Sequence, residues 1–262
     1  MKKAIILAIV AALCVIALVV GLVLMQTKQG LHCRQITLDM SKDSVDDQYL
    51  GCNPNRELQL RNSGNIPLLE KYNKTWETAK HHWAKLGQTV GSFDPIFGTA
   101  IVAYTVGDSL YHDFNTAARE AGKSQDSYNQ YAFRDFHLLL TKALQAKKMS
   151  SCYEVFRGIN GICFNTSDKA VVRFGQFASS SKNETAAKEF GEDTFFSIKT
   201  CYGVPIDDFS YKREEKEVLI PPYEKFIVTN YTKTQKGIFI RLESLNVFSR
   251  FNCEALNELQ AF

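Results

Sequence analysis

An uninterrupted apolar run near the amino terminus divides this chain into two parts that require different solvents. From Ala4 to Met25 there are 22 residues without a charged or strongly polar side chain. At the rise of an α-helix this run is about 33 Å long, and the hydrocarbon core of a bilayer is about 30 Å thick. No comparable run follows Gln26. We therefore expect residues 4–25 to enter a membrane and the remainder to fold in water.

The length and the end of this run favour an uncleaved signal anchor over a cleaved signal peptide, which stays open as the alternative. Signal peptides have an apolar region of about 7–15 residues before a small-residue cleavage site. Here the run is longer, and Val23-Leu-Met-Gln26 has no such site. Lys2 and Lys3 precede the run, so residues 1–3 are expected in the cytosol. We expect a single-pass protein of the cell surface or secretory pathway, or a secreted protein if the run is cleaved.

The cysteines fit an exported protein. Cys14 lies within the apolar run, which leaves six others in the part expected outside the cytosol. Six cysteines in an oxidising compartment predict disulfides, with about 15 full pairings. Their spacing matches no zinc site, so no metal is expected. Buried free thiols remain an alternative for two of them, Cys33 and Cys163. The six are Cys33, Cys52, Cys152, Cys163, Cys201 and Cys253.

Sequons for N-linked glycosylation also favour a location outside the cytosol for the residues after the apolar run. Each has a polar context that favours a surface loop. Behind an export signal, we expect these asparagines to carry glycans. They are Asn73, Asn165, Asn183 and Asn230.

The pattern of apolar residues changes near residue 150 and predicts an α+β fold. Before it, helical spacing marks 65–86, where Asn65 is the expected cap, and also 109–121 and 131–148. Residues 98–105 fit either a strand or a helix. After it, six short β-type segments are separated by turn residues, with one helix near 183–190. Because no flexible linker interrupts 36–262, we expect one domain there, preceded by a stem over residues 26–35.

Three groups of polar residues among the predicted strands are candidates for a functional site. Arg157 precedes a glycine and could present its guanidinium fork to a phosphate, although a surface ion pair also explains it. Ser179 and Ser181 follow a strand, and Ser181 with Glu184 also fits a helix-capping box.

The third group is the charged run from Glu214 to Glu217. If it is extended, Glu215 and Glu217 lie on one face about 7 Å apart. One carboxylate could then stabilise a developing sugar cation while the other engages a nucleophile. A solvated charged turn is the alternative.

Taken together, Arg157, Phe177-x-Ser179-x-Ser181 and Glu215-x-Glu217 resemble the Arg–Ser–Glu signature of arginine-specific mono-ADP-ribosyltransferases, the vertebrate ectoenzymes in particular. Further segments of the family occur in order from about Gln35 to Glu254. The resemblance implies a helical N-terminal part packed on a two-sheet β core that binds NAD. These segments include Asp46-Asp-Gln-Tyr49, Ala103-Tyr-Thr105, Val155-Phe-Arg-Gly158, Phe190-Gly-Glu-Asp193 and Glu217-Val-Leu-Ile-Pro-Pro222.

The resemblance also implies a role for each position. Arg157 would hold the diphosphate of NAD, and Ser179 would position the nicotinamide ribose. Glu217 would bind the ribose 2′-hydroxyl and stabilise the oxocarbenium-like transition state, while Glu215 would orient and deprotonate the acceptor guanidinium. Further NAD contacts are implied for Tyr104, Gln176 and Ser210. Disulfides are implied for Cys52 with Cys253 and for Cys152 with Cys201.

The leading hypothesis is therefore an enzyme that transfers ADP-ribose from NAD, or NADP, to protein arginine. NAD is then a substrate, and no permanently bound cofactor is expected. The alternatives are an NAD glycohydrolase with water as acceptor and a catalytically silent surface glycoprotein. We expect a monomer that does not bind nucleic acid, because a net charge of +3 gives no broad basic face. Many relatives carry an apolar C-terminal tail for a glycolipid anchor. Residues 257–262 are too polar for one, so we expect attachment through the N-terminal run.

Overall fold

The structure of this chain is a computed structural model that describes residues 33–86, 91–107, 109–147 and 151–253. The apolar run over 4–25, the expected cytosolic residues 1–3 and most of the expected stem lie outside the described residues. Among the helices of the described part, none is long and apolar enough to cross a membrane.

Helices occupy the first half of the described chain. Pro95 begins α3 (Pro95–Thr105) and the Asp94 side chain accepts a hydrogen bond from the Ile96 amide, so residues 98–105 are helical. A Cβ on Gly98 would lie 2.3 Å from the Trp83 ring, so only glycine allows α3 to pack this closely on α2 (Asn73–Leu86). The helices are α1 (Asn55–Ser63), α2 (Asn73–Leu86), α3 (Pro95–Thr105), α4 (Ser109–Glu120), α5 (Gln125–Asn129) and α6 (Arg134–Lys147).

The helical periodicity is confirmed for α2, α4 and α6, but the expected start at Asn65 is wrong. A short 3-10 helix, Glu70–Tyr72, precedes α2, which begins at Asn73. The Leu68 amide donates to the Ile66 carbonyl over 2.9 Å. This tight turn around Pro67 is incompatible with helical backbone, so helical spacing in the sequence extended eight residues too far.

The strands lie mostly in the second half. They are β1 (Arg34–Thr37), β2 (Tyr153–Ile159), β3 (Ile162–Asn165), β4 (Val171–Val172), β5 (Ala178–Ser181), β6 (Thr194–Thr200), β7 (Val204–Pro205), β8 (Glu217–Ile220), β9 (Glu224–Lys233) and β10 (Ile238–Val247). A five-residue helix, α7 (Glu184–Lys188), connects β5 to β6.

The described strands form two unequal sheets. A mixed eight-stranded sheet has the order β4-β9-β10-β6-β2-β5-β8-β7, and β1 pairs with β3 in a parallel two-stranded sheet. Only the β10–β6 pair of the larger sheet is parallel. The expected α+β class is confirmed. β1 includes Arg34 and Gln35, which the sequence assigned to the stem.

The described residues contain two apolar clusters, and the first of them holds the helical part to the strands. The first contains the inner faces of α2, α3, α4 and α6 together with Phe177, Phe209 and Leu219 from the strand half. The second lies within the strand half and includes Val155, Phe196 and Ile240. The first cluster confirms that the helices pack on the β core, and it brings α3 against β5 and β8.

All six cysteines of the described part are paired. The structure contains Cys52–Cys253 and Cys152–Cys201, as the resemblance implied. Cys33 pairs with Cys163, which answers the question left open for these two residues. That third bond joins the residue before β1 to β3.

The four sequon asparagines are all exposed, as expected. Three of them lie on elements rather than on loops, which corrects the expectation for those three, whereas Asn183 lies in the loop between β5 and α7, as expected. Asn73 begins α2, Asn165 ends β3, Asn183 caps α7 and Asn230 lies within β9. Their glycosylation stays a prediction.

Candidate active site

The large sheet is almost interrupted between β2 and β5. β2 pairs with β6 through seven residues and β5 pairs with β8 through four, but β2 and β5 share only the Phe156–Ser181 pair. The strands therefore diverge, and a cavity of about 420 Å³ opens beside them. This volume lies within the range of small-molecule sites. Its described lining is Tyr104, Thr105, Gly107, Tyr111, His112, Phe156, Arg157, Gly158, Ile159, Asn160, Ser179, Ser180, Ser181, Ala187, Phe190, Lys212, Glu215 and Glu217.

Arg157 reaches the cavity from β2. Its Nη1 donates to the Ser179 carbonyl on β5, so the arginine bridges the two diverging strands. Its Nε–H is buried and has no partner within the described part of the chain. A buried donor without an acceptor is costly, and an anionic ligand in the cavity would supply the acceptor.

Gly158 allows the wall of the cavity to close. A Cβ at this position would lie 2.2 Å from the Ala187 carbonyl oxygen and 2.4 Å from that of Gly191. Glycine therefore lets α7 and Phe190 approach β2 at the cavity.

Glu217 is the buried carboxyl group of the site. Burial raises its pKa to about 7. A hydrogen bond with Ser179 opposes that rise, and the nearby charge of Glu215 adds to it. The positive charges of Arg157 and Lys212 lower the pKa again. A carboxyl group that changes charge near neutral pH in a cavity is typical of a functional site.

Tyr104 lies behind this carboxyl group, and its hydroxyl is held on both sides. It donates to the Phe177 carbonyl over 3.0 Å and accepts from Asn115 Nδ2 over 3.0 Å. Its ring packs against Phe177, so α3 supports the strand that carries Ser179. Burial raises the pKa of Tyr104 well above its usual value, so the hydroxyl stays neutral.

Glu215 reaches the same cavity through a tight turn rather than along a strand. Residues Arg213–Glu215 form a 3-10 helix, and Lys216 has a left-handed backbone with φ of 50°. Of the two alternatives for this run, the extended segment is therefore wrong and the charged turn is present. Reversal at Lys216 nonetheless brings both Glu215 and Glu217 to the cavity.

Ser181 supports this turn, and the predicted capping box is wrong. Its Oγ donates to the Glu215 carbonyl over 2.6 Å and accepts from the Asn183 amide over 2.9 Å. Asn183 is the residue that caps α7, through Oδ1 and the Thr185 amide. Because Ser181 pairs with Glu217 as the last residue of β5, it belongs to the strand.

Comparison with known proteins shows to which family this arrangement of residues belongs. The profile of the NAD:arginine ADP-ribosyltransferase family matches residues 38–250. The chain belongs to this family. It is 40% identical to the erythroblast NAD(P)(+)–arginine ADP-ribosyltransferase of Gallus gallus, over 89% of this chain and 80% of that protein. It is 38% identical to the GPI-linked NAD(P)(+)–arginine ADP-ribosyltransferase 1 of Homo sapiens, over 88% of this chain and 78% of that protein.

The fold of this ADP-ribosyltransferase also matches crystal structures of the eukaryotic mono-ADP-ribosyltransferase ART2.2, one of them a variant in complex with NAD. Each has a TM-score of 0.72 and 35% sequence identity, and covers 83% of this chain and 98% of the other. The helical part and the mixed sheet are therefore those of the family.

Two residues of the transferase that were predicted to contact NAD lie outside the described lining of the cavity. They are Gln176 and Ser210. The Gln176 side chain accepts a hydrogen bond from Arg119. Ser210 is buried, and its Oγ accepts from the Lys212 amide over 3.1 Å. Their contacts with NAD stay predictions, whereas Tyr104, Arg157, Ser179, Glu215 and Glu217 all line the cavity.

Sequence reasoning did not single out several residues of the lining. Lys212 lies just before the charged run and three residues before Glu215, so its helical spacing could have identified it. Tyr111 and His112 lie on α4, where their spacing is that of an ordinary amphipathic helix. Nothing in the local sequence indicates that this turn of α4 faces β2.

Proposed function

We propose that this chain transfers ADP-ribose from NAD or NADP to the guanidinium group of arginine in proteins and releases nicotinamide. One observation carries the proposal: a single cavity joins Arg157, Ser179, Glu215 and Glu217 at the gap in the sheet. The named activities of its relatives in the family support it. Transfer of labelled ADP-ribose to agmatine by the purified protein tests it, and failure of the folded protein to transfer any label contradicts it.

The two carboxylates of the cavity act on different parts of the reaction: Glu217 acts on NAD and Glu215 acts on the acceptor. Arg157 binds the diphosphate, and its Nε–H, which has no partner among the described residues, supports this role. Glu217, hydrogen-bonded to Ser179, holds the ribose and stabilises the positive charge that develops as the bond from C1 to nicotinamide breaks. The electron pair of that bond leaves with nicotinamide. A guanidinium nitrogen then attacks C1 from the opposite face, which inverts the anomeric centre.

Glu215 accepts the proton that the acceptor loses. The pKa of free arginine is above about 12, so the guanidinium stays protonated until its nitrogen bonds to carbon. Glu215 lies in the described lining of the cavity beside Glu217, where it can orient the fork and take the proton in that step. Product ADP-ribosylarginine retains its positive charge.

The pKa of Glu217 predicts the acid side of the pH profile. The carboxylate must be ionised to stabilise a cation, and burial raises its pKa to about 7. We expect kcat/KM for NAD to rise about tenfold per pH unit up to neutrality and then level off. Because Ser179 lowers this pKa, Ser179→Ala should move the midpoint to higher pH. The measurement is nicotinamide release against pH. A midpoint near that of free glutamate, or a downward shift in the variant, contradicts the assignment.

The role of Glu215 separates transferase from glycohydrolase. In Glu215→Gln the side chain keeps its shape but cannot take the acceptor proton. We expect transfer to agmatine to fall about 100-fold while nicotinamide release with water as acceptor persists. Parallel assays of labelled agmatine and free nicotinamide measure the two reactions. Equal losses of both would assign Glu215 to NAD cleavage, and hydrolysis by wild type that agmatine does not alter would favour the glycohydrolase.

We further propose that the domain beginning at Cys33 faces the outside of the cell or the lumen of the secretory pathway, with the N-terminal run as anchor, and acts as a monomer. The three disulfides of the described residues support an oxidising compartment. The N-terminal peptide of the mature protein, determined by mass spectrometry, tests the anchor. A start after about residue 25 would instead indicate cleavage. Light scattering tests the oligomeric state.

A further inference from the structure

The ammonium group of Lys212 is paired with the carboxylate of Glu215, the group expected to bind the acceptor arginine. Its Nζ lies 3.3 Å from Glu215 Oε1, and both side chains line the cavity. The Lys212 side chain is 49% exposed and that of Glu215 is 27% exposed. Exposed ion pairs of this kind are weak, so a stronger partner for Glu215 can displace the lysine.

The side chain of Lys212 is not needed to hold its own loop. The Tyr211 amide donates to Thr105 Oγ1 over 2.9 Å, and the Lys212 amide donates to Ser210 Oγ over 3.1 Å. The Glu215 amide donates to the Lys212 carbonyl over 3.3 Å. All three bonds use main-chain atoms of the loop, so truncation of the Lys212 side chain should leave the loop in place.

An acceptor arginine and Lys212 compete for the same oxygens. A guanidinium can bind a carboxylate through two parallel hydrogen bonds, whereas an ammonium is a single point charge. The arginine therefore displaces the lysine from Glu215. Among the described residues that line the cavity, the acids are Glu215 and Glu217. Glu217 is buried and holds the ribose, so the displaced ammonium needs a carboxylate from the acceptor.

We infer that Lys212 is a specificity-determining residue, which the acceptor arginine displaces from Glu215 and which then pairs with a carboxylate beside that arginine in the acceptor. The inference rests on the proposed transfer to arginine. It predicts that the preferred acceptors are arginines with an acidic neighbour. For an acceptor without a carboxylate, such as agmatine, Lys212 acts only as a competitor.

The first test compares Lys212→Met with wild type, using agmatine as acceptor. Lys212 also lowers the pKa of Glu217, so the two proteins are compared at a pH where Glu217 is ionised in both. There we expect the KM for agmatine to fall about two- to fivefold, and nicotinamide release without agmatine to change by less than that. The matched control is Lys80→Met, because Lys80 pairs with Glu77 at the same i,i+3 spacing on α2 but does not line the cavity. Lys212→Gln is the second variant, should the first not fold. An unchanged KM for agmatine, or a raised KM for NAD, overturns the inference.

The second test uses two peptides that differ only in Asp or Asn beside one arginine. At low salt we expect wild type and Lys80→Met to favour the Asp peptide about two- to fivefold in kcat/KM, and Lys212→Met to treat both alike. A preference that survives in Lys212→Met overturns the inference. Failure of wild type to modify any arginine acceptor would contradict the proposed function itself, so the two failures are distinguishable.

Discussion

Glu217→Gln should lower kcat about 10³-fold for both transfer to agmatine and nicotinamide release. The substitution keeps the size of the side chain and its capacity to accept a hydrogen bond, but removes the negative charge. In the buried site no solvent replaces that charge, so the oxocarbenium-like transition state loses its main electrostatic partner. Steady-state assays with labelled NAD measure both reactions.

The controls for Glu217→Gln separate catalysis from binding and folding. Burial opposes the charge of Glu217, so its neutral replacement should not destabilise the fold, and the melting temperature should be at least that of wild type. Binding of NAD, measured by calorimetry, should persist because Arg157 still reaches the cavity. Loss of transfer with retained nicotinamide release would contradict the assignment, since that result is the one expected for Glu215→Gln.

The residues of the catalytic set could be found from the sequence because each one lies in a short motif. Arg157, Ser179 and Glu217 belong to strands with recognisable flanking residues, and the resemblance to the family fixed their order. What the sequence could not show is the divergence of β2 from β5, because strand pairing depends on residues far apart in the chain. The cavity exists only because of that divergence.

The sequence also did not show which of two similar residues caps a helix. Ser181 and Asn183 are both good helix caps, and the sequence favoured Ser181 because Glu184 follows at the spacing of a capping box. Because Ser181 pairs with Glu217 in the sheet, Asn183 caps the helix instead. In the same way, the charged run from Glu214 to Glu217 was compatible with a strand, and the left-handed backbone at Lys216 became visible only in the folded chain.

Arg173 shows most clearly what a sequence does not reveal. It lies between Val172 and Phe174, next to a short strand where a charged side chain is expected to be exposed, yet it is fully buried. Its partner Asp46 is 127 residues away and equally buried. The arginine also donates to the main-chain oxygens of Met40, over 2.9 Å, and Phe248, over 3.2 Å.

Asp46 completes this buried network from the other side. Its carboxylate accepts from the amides of Arg250, over 2.9 Å, and Phe251, over 3.0 Å. The ion pair therefore joins the segment before α1, the strand region at Arg173 and the C-terminal segment near the Cys52–Cys253 disulfide. Each segment alone is irregular, so these polar contacts fix their mutual position.

Asp46→Asn should therefore destabilise the protein strongly, because it leaves the charge of Arg173 buried without a counterion. Breaking a buried ion pair on one side costs about 3–5 kcal/mol. For a domain of this size that corresponds to a fall in melting temperature of about 6–20 °C. Thermal unfolding of the oxidised protein, followed by circular dichroism at one scan rate, measures the change.

The matched control for Asp46→Asn is Glu77→Gln, which removes the acidic partner of an exposed pair with Lys80. Solvent screens that pair, so its loss should cost less than about 1 kcal/mol. The disulfide Cys52–Cys253 keeps the C-terminal segment nearby in both variants, but it supplies no charge to Arg173. Equal melting temperatures for the two variants would mean that water reaches Arg173 and that the network does not hold the C-terminal segment.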